Sequence, residues 1–129
     1  MRVDWASKQH FSRDEFGWTH CGAEQMQEAF LVRLDLLRDL LGFPLVVTSG
    51  WRCRDHPLEA GKPEPGAHSM GIAVDLAVKN HAALETVRMA AVLGFTGIGV
   101  NQKGTKRYIH LDTLEPGDPI RPRPTIWSY

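Results

Sequence analysis

Two stretches decide how this chain is read: Gly66-Ala67-His68-Ser69-Met70-Gly71-Ile72-Ala73-Val74-Asp75-Leu76-Ala77-Val78 and Tyr108-Ile109-His110-Leu111-Asp112. Ile72 to Val78 of the first, and the whole of the second, have the apolar, β-branched make-up of a short buried strand. Each also carries groups that a buried strand does not ordinarily hold. An ionised Asp75 among Ile72, Val74, Leu76 and Val78 would cost several kcal/mol, on the order of the penalty for an unpaired buried charge, unless a cation faces it. His68 stands at the mouth of a loop and His110 lies inside the second strand. On neighbouring strands the three side chains can converge on one cation. Two imidazoles and a carboxylate leave the fourth tetrahedral position open for water, which is the arrangement of a catalytic zinc rather than a structural one.

Working outward, Phe11-Ser12-Arg13-Asp14-Glu15-Phe16 holds a capping box, Ser12 with Glu15, flanked by two phenylalanines placed as a hydrophobic staple, so a short helix should begin at residue 13. Met26, Phe30, Leu34, Leu37 and Leu41 recur every three or four positions between Ala23 and Leu41, and Gly42 with Pro44 ends that helix. Leu45 to Thr48 reads as a strand feeding an aperiodic loop from Trp51 to Ala67. Asn80 is expected to cap a helix through Leu93 that buries Leu84, Val87 and Ala91. Phe95 to Val100 and Tyr108 to Asp112 read as a hairpin across a polar connection. Residues 1–10 form an N-terminal arm. The tail from Glu115 to Tyr129, with four of the chain's eight prolines, is expected to be extended and anchored by Trp127 and Tyr129. The order of elements specifies a single α+β domain, residues 1–129, with a small, mainly antiparallel sheet flanked by helices.

Composition excludes several classes. With 15 basic and 15 acidic residues the formal charge is zero, so no basic face draws nucleic acid, and a metal-dependent nuclease is disfavoured. No apolar run approaches the length of a membrane span. The segment from Met1 to His10 lacks the apolar stretch of a secretory signal, so release by another route is expected if the protein acts outside the cell. Cys21 and Cys53 are the only cysteines, too few for a four-thiolate zinc site, and two semi-buried thiols, near each other but unbridged, are expected.

The residues quoted closely resemble the zinc D-alanyl-D-alanine carboxypeptidases and the related phage L-alanyl-D-glutamate endolysins, a group that shares its fold with the hedgehog signalling domain. The family's His, six residues, Asp and distant His fall on His68, Asp75 and His110. Its Ser-Gly-aromatic-Arg turn falls on Ser49-Gly50-Trp51-Arg52, and similarity extends from about Phe11 to the Arg123-Pro124-Thr125-Ile126-Trp127 ending. The resemblance implies Zn2+ on His68, Asp75 and His110, with Arg52 holding a substrate carbonyl or carboxylate. It implies hydrolysis of peptidoglycan stem peptides or cross-bridges by a monomer of phage or prophage origin, acting on the cell wall after release or as part of a virion.

The chain departs from the family at the general base, which members carry two or three residues before the last ligand. Arg107 and Tyr108 stand there. Asp112, on the same strand face as His110, is the expected replacement, with Glu59 and Glu64 as alternatives. Asp112 could instead be a carboxylate held by Arg121 or Arg123, Asp75 one satisfied by backbone N–H groups or by Arg52, and Arg52 could instead pair with Asp55 or Asp112. His10, His20, His56 and His81 match no motif position, and of these His56 is the one expected nearest the groove. Trp51 and Trp127 are expected to pack, or to form a groove wall. A contrasting expectation is a zinc-stabilised binding module, for example of a phage tail, that kept the metal site and lost the base.

Overall fold

A computed structural model describes residues 3–17 and 24–129. Among these residues lie two helices, α1 (Glu28–Leu41) and α2 (Asn80–Val92), and five strands: β1 (Val47–Ser49), β2 (Ala73–Leu76), β3 (Gly97–Asn101), β4 (Tyr108–Asp112) and β5 (Thr125–Ser128). Single 3₁₀ turns occupy Trp5–Ser7 and Arg13–Glu15. The capping box at Ser12 and Glu15 is present, but it starts one turn rather than a helix. Phe11 and Phe16 are both buried and meet edge to face.

The strands form one sheet in the order β1-β2-β4-β3-β5. The first four pair antiparallel, whereas β5 runs parallel to β3. The chain is therefore α+β as expected, with a mixed sheet whose parallel edge is made by the tail.

Strand alternation sorts the sheet into two faces. Val74 and Leu76 of β2, Ile98 of β3, and Ile109 and Leu111 of β4 join Phe30, Leu31, Leu34 and Leu37 of α1 and Ala83 and Ala90 of α2 in one apolar core. Each fully buried leucine there is worth about 1.5–3 kcal/mol of transfer free energy. The opposite face takes the complementary residues. Register pairs Asp75 with His110, His110 with Gly99 and Gly99 with Trp127, and in the adjacent row Ala73 with Asp112, Asp112 with Gly97 and Gly97 with Thr125. The chemistry-bearing face is thus the back of the core.

Two helices differ from their expected form. α1 starts at Glu28, not near Ala23, which lies outside the described residues; the Glu24 carboxylate accepts the Met26 N–H at 2.7 Å and the Gln27 N–H goes to the Gly71 carbonyl at 2.9 Å. Those N–H groups are satisfied without a helical turn. The helix ends at Gly42 in the left-handed region (φ 74°), as the sequence indicates. α2 buries Ala83, Thr86 and Ala90, while Leu84 is 65% exposed. Thr86 tolerates burial because its hydroxyl donates to the Ala82 carbonyl at 2.7 Å. No helix among the described residues is long and apolar enough to cross a membrane.

Candidate metal centre and cleft

His68 is delivered by a tight turn between the long loop and β2. The Met70 N–H reaches the Gly66 carbonyl, the Gly71 N–H the His68 carbonyl and the Ile72 N–H the Ala67 carbonyl, at 3.1–3.2 Å. Gly71 closes this turn at φ 76°, and a Cβ there would overlap the Gln25 carbonyl oxygen, so only glycine fits. Asp75 and His110 come from the two central strands, directly opposite each other.

The three groups meet closely. His68 Nε2 lies 3.2 Å from His110 Nδ1 and 3.3 Å from Asp75 Oδ1, and His110 Nδ1 lies 3.1 Å from the same oxygen. The tautomers follow from the remaining ring nitrogens. His68 Nδ1–H donates to the Gly50 carbonyl at 2.8 Å, and His110 Nε2–H donates to Asp112 Oδ2 at 2.7 Å. Each imidazole therefore turns a lone pair toward Asp75 Oδ1. Two lone pairs and a carboxylate oxygen at such separations repel one another unless positive charge lies among them. A tetrahedral ion with bonds of about 2.0–2.1 Å sets its ligands about 3.3–3.4 Å apart, close to the triangle found here. His68, Asp75 and His110, all buried, thus fit a metal ion by donor type, tautomer and spacing.

Partners beyond the triangle fix these groups. Asp75 Oδ2 accepts from Arg52 Nη2 at 3.2 Å, which leaves Oδ1 for the centre. Without an ion, protons on the facing nitrogens would take its place: burial works to raise the Asp75 carboxyl, but hydrogen bonds and charge from His110 and His68 protonated there outweigh it and hold the group well below the usual carboxylate range. Burial also works to lower the His110 imidazole, while Asp112 and Asp75 prevail and raise it.

Asp112 has no exposed surface. Arg123 grips it in a fork, Nε to Oδ1 at 3.0 Å and Nη2 to Oδ2 at 2.8 Å, and the Leu114 N–H donates to Oδ1 at 3.2 Å. Of the two arginines offered by the sequence it is Arg123 that binds it; Arg121 pairs with Asp118. Arg52 pairs with Asp75 rather than with Asp55 or Asp112, donates from Nε to Ser49 Oγ at 3.0 Å and has Glu59 at 3.6 Å.

Glu59 is fully buried. It accepts from Lys62 Nζ, Ser69 Oγ and the Gly66 N–H at 2.9–3.2 Å. Burial pushes its carboxyl up, these donors push it down, and the net direction is down.

A cleft of about 590 Å³ opens over the centre, within the range of small-molecule and peptide sites. Arg52, Lys62, Glu64, His68 and His110 line it together with Tyr108, Ile120, Trp127 and Tyr129. Trp51 instead joins the core, where its indole donates to the Ser69 carbonyl. His56 is not among the lining residues; it accepts the Leu58 N–H, and burial followed by the Arg52 charge lowers its pKa. His10 and His81 sit beside Asp39 and Glu85, and His20 lies outside the described residues. Cys53 is disulfide-bonded, which corrects the expectation of two unbridged thiols; the chain's other cysteine, Cys21, lies outside the described residues.

Sequence reasoning missed the part played by two glycines of β3. A Cβ on Gly97 would overlap the Asp112 carboxylate, and one on Gly99 would lie 2.8 Å from the Trp127 ring. The signal was present in Gly97-Ile98-Gly99-Val100, a strand whose alternate positions carry no side chain.

A protein-family model described as peptidase M15 matches residues 9–112. No curated protein matches the chain.

Proposed function

Since the chain belongs to the peptidase M15 family, we propose that it is a zinc peptidase that hydrolyses peptide bonds in the stem peptides or cross-bridges of bacterial peptidoglycan. The observation that carries this reading is the convergence of His68 Nε2, His110 Nδ1 and Asp75 Oδ1, with both tautomers set by acceptors outside the triangle. Zn2+ held there would supply Lewis acidity, bringing the pKa of water toward about 7 and polarising a carbonyl.

The chain's own residues divide the remaining work. Arg52, fixed by Asp75 and Ser49, presents a permanently charged planar donor at the cleft for a substrate carbonyl or carboxylate. Asp112, expected as the base, has its oxygens committed to His110, Arg123 and the Leu114 N–H, and its task in this reading is to orient His110. Glu59 is likewise committed, behind Arg52. Glu64 lines the cleft and is the carboxylate there free of any hydrogen bond or ion pair among the described residues, so it accepts the proton released as water adds to the scissile carbon. The C–N bond then breaks and the amine leaves with that proton.

A second reading, a metal-stabilised binding module, is favoured by Arg107 at the position where the family carries a base; Arg107 donates to the Gly104 carbonyl and to Asn80. Metal analysis with mass spectrometry of digested, purified peptidoglycan separates the two. The peptidase releases defined fragments with zinc bound, and His110→Ala loses both zinc and fragments. Zinc at one equivalent with no fragment released from any peptidoglycan refutes the peptidase.

A further inference from the structure

The family match ends at Asp112, yet the cleft does not. Residues beyond it return to the sheet as β5, parallel to β3, and the Gly99 to Trp127 register sets Trp127 in the same row as His110 and Asp75. Its ring centroid is 5.2 Å from that of His110, and the Arg123 guanidinium lies over its face at 4.9 Å. Tyr129 packs against Tyr108 with centroids 5.3 Å apart. Ile120, in the loop leading to β5, lines the same cleft and is 70% exposed.

The arginines that the tail brings to the cleft are already paired. Arg123 is taken by Asp112 and Arg121 by Asp118. What the tail offers the cleft is therefore apolar and aromatic surface, in a cleft also lined by Arg52, Lys62 and Glu64. Large apolar groups left exposed at a cleft mark a surface that a ligand covers.

Resting on the peptidase reading, we propose that the C-terminal segment is the specificity wall of the cleft: Ile120, Trp127 and Tyr129 form a subsite for an uncharged, apolar residue of the peptide next to the bond that is cut. Arg52, which lines the same cleft, holds the substrate's carbonyl or carboxylate. Selection arises because a charged side chain placed against this wall loses water and finds no free partner.

The test uses zinc-loaded protein and synthetic stem pentapeptides in which each alanine in turn is replaced by aspartate of the same handedness. Binding is measured by calorimetry and cleavage by mass spectrometry. Wild type should lose tenfold or more in affinity at one replaced position, about 1.4 kcal/mol. Trp127→Ala and Ile120→Ser should each weaken binding of the parent peptide and remove that discrimination, Ile120→Ser raising KM with kcat retained. Ile120 is exposed, so its variant reports even if Trp127→Ala does not fold. Unchanged parent affinity and undiminished discrimination in Ile120→Ser overturn the wall while leaving the peptidase intact. Discriminating binding without cleavage supports the wall and refutes the peptidase. Failure of wild type to bind any peptide overturns both.

Discussion

Replacing Asp112 with Asn tests the division of labour within the site. In the wild type, Asp112 Oδ2 receives both His110 Nε2–H and Arg123 Nη2–H, and Oδ1 receives Arg123 Nε–H and the Leu114 N–H. Asparagine keeps one acceptor oxygen and substitutes an NH₂ for the other. Whichever way the amide turns, an N–H donor of Arg123 faces the new NH₂, and the guanidinium, 7% exposed, loses its counter-charge. Breaking one side of a buried pair costs about 3–5 kcal/mol, and the retained oxygen argues for the lower end. If the amide oxygen takes the place of Oδ1, His110 loses the acceptor that fixes its tautomer. Loss of such a partner weakens metal binding by about 10- to 100-fold, roughly 1.4–2.7 kcal/mol.

The assay is a zinc titration against a competing chelator, alongside urea unfolding and turnover at saturating zinc. Weakened zinc affinity with turnover largely restored at saturating metal is the expected result. Wild-type zinc affinity combined with abolished turnover would show Asp112 to be the general base after all, and the orienting role would be refuted.

Glu64→Gln should reduce kcat by about 100-fold or more, the scale of general-base loss, with zinc content unchanged in elemental analysis. Arg52→Lys retains the charge but not the planar fork, and steady-state kinetics should show about a hundredfold loss in kcat/KM. Glu59→Gln should destabilise the fold in urea titrations at neutral pH, since Lys62 and Arg52 lose a buried counter-charge. Because the folded Glu59 pKa lies below its ordinary 4.5, its contribution is present above that pH and declines as pH falls through the lower folded value. The deficit of the variant should therefore shrink on acidification below about pH 4.5, and a constant deficit would refute the linkage. Chelation should lower Tm in scanning calorimetry, and zinc at a hundred times its Kd should restore about 2.7 kcal/mol.

The centre was legible in the sequence because strand period and strand pairing are short-range rules. Asp75 in an apolar strand poses an electrostatic problem, and alternation places His110 and Asp112 on one face before any register is known. Arg52's part at the site came through resemblance, while a buried carboxylate's need for a counter-charge left Arg52 as one candidate partner of Asp75, 23 residues away, beside backbone N–H groups. Other features depend on contacts between distant segments. Arg121 and Arg123 are equivalent as sequence, and only the path of the tail awards Asp112 to the second. The parallel pairing of β5 depends on where β3 lies, so the tail read as extended without a partner. On α2 the expected face holds at Val87, which packs partly buried against the core, but not at Leu84, because the fully buried positions are Ala83, Thr86 and Ala90. The late start of α1 follows from a carboxylate and a carbonyl capturing its first donors, which periodicity does not reveal.

Gly97 and Gly99 carry a consequence for how this protein can vary. Neither offers a functional group, yet the volume each leaves empty is occupied by Asp112 in one case and by Trp127 and Tyr129 in the other. A saturation scan scored on activity would rank these two glycines beside His68, Asp75 and His110, and from the scan alone they would pass for catalytic positions. The outer face of β3 works as a mould, and descent with modification can reshape the tail only within the hollow that this strand keeps open.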